Sequence, residues 1–172
     1  RAYLRELSQF ALRAVPKTIK LQEVDLSVTR PSVFISYSGG DLRLAQLAQE
    51  YLESLGIPVL YWERDRRGMT GKPLWTVIER WMTTSENLLF LLTGKTLLSA
   101  GQLEEIKLTK TLDKVDQVIP VFCAPVSHEH VQSWFGKQLT GRSFKRTSFH
   151  AAMEDLGSQI IETSRQQGSP RT

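Results

Sequence analysis

The sequence predicts the α/β class: a parallel sheet of four to five strands with helices on both faces. Three observations carry this expectation. Short β-branched or apolar runs recur at residues 33–37, 57–62, 88–92 and 118–123. Stretches with apolar residues three and four apart lie between them, the period of amphipathic helices. The run Leu88-Leu89-Phe90-Leu91-Leu92 is apolar at every position, as expected of a strand covered on both sides at the centre of a parallel sheet. Strands alternating with helices in this way form βαβ units, whose right-handed crossovers place helices on both faces. At 172 residues the chain has the size of one domain with its own core.

The elements follow in order. Tyr3, Leu4, Leu7, Phe10, Ala11 and Ala14 form one apolar stripe on a short helix stopped near Pro16, and residues 17–31 read as an extended linker. Residues 1–31 are therefore expected to precede the domain proper, which spans 32–165. The first strand, 33–37, leads into a helix with Ser38 and Asp41 in capping-box spacing. Leu44, Leu47, Ala48, Tyr51, Leu52 and Leu55 form its stripe, and Gly56 its left-handed stop. A second strand, 57–62, is followed by an arginine-rich loop over 63–72, with Pro73 at a first helical position. The next helix buries Leu74, Val77, Ile78, Trp81 and Met82. After the third strand, Ser99 and Gln102 again have capping-box spacing, opening a helix that runs to about Leu112. The fourth strand is 118–123. A last helix begins after Ser148 with Phe149, Ala152, Met153, Leu156 and Ile160 on one side, and 166–172 reads as a flexible tail.

Composition excludes several classes. No apolar run approaches the ~20 residues of a membrane span, and no basic-then-apolar leader opens the sequence. The single cysteine, Cys123, lies in an apolar strand and reads as a buried thiol, consistent with a reducing, cytoplasmic setting. The net charge of +4 is dispersed without a dense basic stripe, so nucleic acid is not an expected partner. There is no phosphate-binding glycine loop, dinucleotide fingerprint, nucleophile elbow or paired metal-ligand spacing. His128 and His130 flank Glu129 with no third ligand at a useful spacing, and receive no role. Trp75 and Glu79, one helical turn apart, receive none either. Trp134 and Phe135 suit either a core cap or an interface.

In an open parallel sheet the ligand crevice lies beyond the carboxyl ends of the strands, here after Tyr37, Trp62, Thr93 and Cys123. Tyr37, Ser38 and Trp62 are the candidates at those ends. An aromatic face and a hydroxyl suit a flat base or a ribose, while a strand-end aromatic also serves as a core lid.

Val33-Phe34-Ile35-Ser36-Tyr37-Ser38 with Asp41 resembles the first box of TIR domains, the Toll/interleukin-receptor signalling modules. Arg64-Asp65, Gly71-Lys72, Ile78, Ser85, the third strand, residues 99–106 and Val118-Ile119-Pro120-Val121 follow in the family's order. The resemblance covers about residues 32–161. It implies a flavodoxin-like fold and homotypic assembly with other TIR domains. Residues 99–106 resemble the family's Ser-x-Trp-Cys-x-x-Glu-Leu segment without a gap when Glu105 takes the acidic position, although Gly101-Gln102 replace Trp-Cys and a slip of one would promote Glu104. In TIR enzymes that glutamate is needed to cleave NAD between nicotinamide and ribose. The resemblance therefore implies a catalytic Glu105, with NAD as substrate, no cofactor and no metal. An anion holding the ribose hydroxyls would stabilise an oxocarbenium-like transition state. The loop over 64–72 corresponds to the family's BB loop, where Lys72 could meet phosphates. A non-catalytic adaptor acting through TIR–TIR contacts is the alternative.

Overall fold

The computed structural model of the chain describes residues 32–65, 71, 73–145 and 148–168. The helix expected over 3–14, the linker after it, Lys72 and residues 169–172 lie outside the described residues.

Five strands form one parallel sheet: β1 (Val33–Ser36), β2 (Val59–Tyr61), β3 (Asn87–Leu92), β4 (Val118–Phe122) and β5 (Arg142–Ser143), in the order β2-β1-β3-β4-β5. β3 pairs with β1 on one side and β4 on the other, and Leu88 to Leu92 are each 0% exposed, as their uninterrupted apolar character requires.

Six helices complete the described fold: α1 (Leu42–Ser54), α2 (Trp62–Asp65), α3 (Leu74–Thr84), α4 (Ala100–Thr111), α5 (His128–Phe135) and α6 (Phe149–Gly168). Successive strand residues point to opposite faces, so β1 and β3 each feed two cores. Val33, Ile35, Leu89 and Leu91 meet Ala45, Ala48 and Leu52 of α1 and Met153, Leu156 and Ile160 of α6. On the opposite face Phe34, Leu88, Phe90 and Leu92 meet Ile78, Trp81 and Met82 of α3, Ile106 of α4 and Phe135 of α5. Burying each large side chain contributes about 1.5–3 kcal/mol, which makes these two layers the main stabilising term.

The elements depart from expectation in five places. The spacing of Ser38 and Asp41 does not make a capping box. A 3-10 turn over Gly39–Asp41 intervenes before α1, and the Ser38 hydroxyl donates to the Asp41 carboxylate at 2.9 Å instead. The second strand is shorter than expected because Trp62 opens a helical turn whose Asp65 accepts from the Tyr61 N–H at 2.9 Å. Pro73 caps α3 from outside rather than occupying its first turn, and Leu74, expected in the core, is 42% exposed. α5 is a helix that no expected element covers; its Ser127 side chain and His130 ring satisfy each other's turn, and Gly136 closes it at φ +75°. α6 runs to Gly168, past the boundary expected at 165. The Gly56 stop of α1, at φ +74°, is as expected.

Candidate functional site

β1 lies between β2 and β3, so the chain leaves it in one direction and returns on its other side. This switch point is where open sheets hold ligands. A cleft of about 240 Å3 occupies it. Its walls come from the end of β1 (Ile35, Tyr37, Gly39), the α2 turn (Trp62, Glu63), the start of α3 (Leu74, Trp75, Ile78) and the start of α4 (Ser99, Gly101, Gln102, Glu105).

The start of α4 is fixed by two hydrogen bonds. Ser99 accepts the Gln102 N–H at 3.2 Å, the half of the capping box that the spacing predicts. The Gln102 side chain, instead of reaching back to Ser99, donates to the Leu91 carbonyl at 2.9 Å and ties the helix to β3. One turn later Glu105 faces the cleft, and its carboxylate accepts a hydrogen bond from the hydroxyl of Ser36. Burial pushes this carboxyl up to about 8, against the opposing pull of the Ser36 hydrogen bond. The adjacent Glu104 points away: its side chain is 54% exposed and paired with Lys107 at 2.9 Å. Of the two acids in question, only Glu105 is on the cleft wall.

Tyr37 and Trp62 both line the cleft and both are braced. The Tyr37 hydroxyl accepts the Glu63 N–H at 3.1 Å, its ring meets Tyr61 edge-on at 6.2 Å, and burial pushes its hydroxyl up to about 12. Trp62 packs against Trp81 at 5.8 Å. Trp75 is 40% exposed on the same wall. Ser38 lies off the cleft wall. It is 2% exposed, its hydroxyl is committed to Asp41, and it is not among the lining residues. Lys72 is outside the described residues.

Sequence reasoning missed Trp75 and Ser36, and a signal existed for the second. Trp75 stands three residues before Ile78 and seven before Met82, at the edge of the stripe that buries α3, so periodicity does not mark it as a cleft residue. Ser36 shares the strand face of Phe34, where a buried hydroxyl requires a partner.

His128 stacks edge-on against Phe122 at 4.8 Å and His130 serves Ser127, so both support α5. Among the described residues no group of three His, Cys, Asp or Glu side chains could hold a metal ion, and no helix is long and apolar enough to cross a membrane.

The TIR domain family model matches residues 33–157. The chain belongs to the TIR domain family. Solved structures share the fold at low identity. A prokaryotic SEFIR domain is 16% identical with a TM-score of 0.59, over 83% of this chain and 98% of that one. The TIR domains of the activated Roq1 resistosome, which recognises the pathogen effector XopQ, are 17% identical with a TM-score of 0.57, over 77% and 98%. A TIR-STING receptor from C. gigas in complex with 2',3'-cGAMP is 18% identical with a TM-score of 0.59, over 74% of this chain and 38% of that one. No curated protein matches the sequence. This TIR domain thus carries two carboxylates and three aromatic side chains on the wall of one cleft at the switch point of its sheet, with a buried serine bonded to one of the carboxylates.

Proposed function

We propose that this TIR domain is an NAD glycohydrolase, cleaving the bond between nicotinamide and ribose when the domain self-associates in a cytoplasmic signalling or defence pathway. The observation that carries the reading is the carboxylate of Glu105 on the wall of an aromatic-lined cleft, while Glu104 faces solvent. The C1′–N bond breaks with its electron pair moving to the nicotinamide ring, which neutralises the pyridinium. The ribose carbon becomes oxocarbenium-like until water, or the adenine in a cyclising enzyme, attacks it. Glu105 holds the ribose hydroxyls and stabilises the developing positive charge. Tyr37, Trp62 and Trp75 supply flat apolar surface for the rings.

With its carboxyl pushed up to about 8, Glu105 is mostly protonated at neutral pH. NAD counters this. A pyridinium entering beside the carboxyl favours its ionised form, so substrate binding and proton release are linked.

The test is nicotinamide release from NAD by the domain concentrated on a surface or with a crowding agent. Glu105→Ala is expected to lower the rate by a factor of about 100 to 1,000, the range for removing one electrostatic stabiliser. Glu104→Ala is expected to leave it unchanged. No release from the assembled wild-type domain would move the assignment to a non-catalytic adaptor acting through TIR–TIR contacts. That second reading is favoured by Leu98, 91% exposed, and its neighbour Leu97, 40% exposed, just before the cleft residue Ser99.

A further inference from the structure

Ser36 is the last residue of β1, 1% exposed, on the strand face that packs against α3 and α4. A serine among such neighbours has a strong requirement for a partner, and here the partner is a carboxylate 69 residues away on another element. The bond reaches Oε2 of Glu105. The helix that carries Glu105 is itself fixed to β3 through Gln102. Sheet and helix therefore both constrain one side chain, and the Ser36 hydroxyl defines which carboxylate oxygen is held.

We propose that Ser36 is a positioning residue for Glu105. Its hydroxyl grips one carboxylate oxygen from the sheet side, fixes the rotamer, favours the ionised form and leaves the remaining acceptor capacity to a ligand in the cleft. As a source of NAD-cleaving activity the pair rests on the function proposed above, whereas the serine–carboxylate coupling itself does not depend on it. The other titratable groups on the cleft wall are Tyr37, from the end of β1, and Glu63, from α2. Tyr37 stays neutral through the working range because burial holds its hydroxyl up near 12. Glu104 and Lys107 on the same helix pair with each other at the surface. Among the described residues no lysine or arginine lines the cleft. The hydroxyl of Ser36 is thus the group in contact with Glu105 that pulls its carboxyl downward against burial.

The experiment follows the side-chain carboxyl carbons of the 172-residue chain by 13C NMR from pH 5 to 10, with Glu105→Gln to assign the resonance and Glu63→Gln to remove the other cleft carboxylate. Ser36→Ala is expected to raise the Glu105 midpoint by about one pH unit, Ser36→Cys to raise it by less, and Ser36→Thr to keep it near wild type. In Glu63→Gln the Ser36→Ala shift persists. In the assembled domain the rising limb of nicotinamide release against pH is expected to move with the midpoint. Ser36→Ala should then lose about tenfold at pH 7 and only a few-fold above pH 9. A folded Ser36→Ala or Ser36→Cys variant with an unmoved Glu105 midpoint would overturn the proposal, as would an equal loss of turnover at every pH. If wild type releases no nicotinamide, NAD cleavage fails while the titration still decides the role of Ser36.

Discussion

Thr93, just beyond β3, donates its hydroxyl to the carboxylate of Asp41, which lies just before α1 and is 2% exposed. Ser38 donates to the same oxygen at 2.9 Å, and the Lys95 ammonium stands 3.7 Å from the other. The loops leaving β1 and β3 are thereby clasped beneath the rim of the cleft. Asp41→Ala removes an acceptor from two buried hydroxyls and is expected to cost about 2–3 kcal/mol. Asp41→Asn keeps one acceptor and should cost less. Urea unfolding curves measure both, and a loss under about 0.5 kcal/mol in Asp41→Ala would show that the clasp contributes nothing.

Glu105 makes stability depend on pH with a definite sign. Its folded carboxyl is held up at about 8 against an unfolded value of 4.5, so between those values the folded state binds more protons. Unfolding free energy then falls as pH rises from about 5 to 8, and the group destabilises the fold most above 8. Glu105→Gln, uncharged throughout, is expected to flatten this slope and to be more stable than wild type at pH 8.5 by about 1–3 kcal/mol, discounted from the full shift for residual solvent contact. Thermal melts at pH 5.5, 7 and 8.5 give the comparison. A wild type that gains stability across this range relative to Glu105→Gln would contradict it.

Trp75 is exposed enough that its removal should leave folding nearly untouched. Trp75→Ala is expected to change stability by less than about 1 kcal/mol. The lost ring contact, worth about 1–2 kcal/mol, should lower kcat/KM for NAD roughly tenfold, with Trp75→Phe close to wild type. Steady-state nicotinamide release at subsaturating NAD, paired with a thermal melt, separates the two effects.

Gly141 leads into β5 where the backbone presses on β4. A Cβ there would lie 2.9 Å from Pro120 Cγ, 3.0 Å from the Pro120 carbonyl oxygen and 3.1 Å from Phe122 Cε1. Because one of these atoms is backbone, relief requires the strands to separate, and Gly141→Ala is expected to cost about 1–3 kcal/mol. Chemical denaturation reads this loss, and the titration of Glu105, on the far side of β3, should not move.

The sheet was legible because its strands are nearly pure apolar runs and its helices carry sharp stripes closed by glycine or opened by serine. The central placement of β3 followed from five consecutive apolar residues, each of which is fully buried. β5 was harder to read because two residues, Arg142 and Ser143, form it through backbone pairing alone, which leaves no hydrophobic period in the sequence. The location of the cleft, with Glu105, Tyr37 and Trp62 on it, was legible from strand ends and the resemblance. The roles of Ser38 and Ser36 were not. Both are serines at one strand end, and which of them turns inward to Asp41 and which meets α4 depends on the pleat and on a helix that arrives some 60 residues later. Trp75 was hidden by its neighbours, because a residue at the edge of a good apolar stripe gives no sign that it overlooks a cavity.

Among the described residues, every side chain on the cleft wall comes from between Ile35 and Glu105, while β4, α5, β5 and α6 touch it nowhere. Recognition is thus confined to one stretch of the domain, which also supplies β3, α1 and α3 to the two cores. A combinatorial library confined to the wall residues of that stretch samples the whole described wall. Drift after Val118 bears on the fold's stability without replacing a described wall residue.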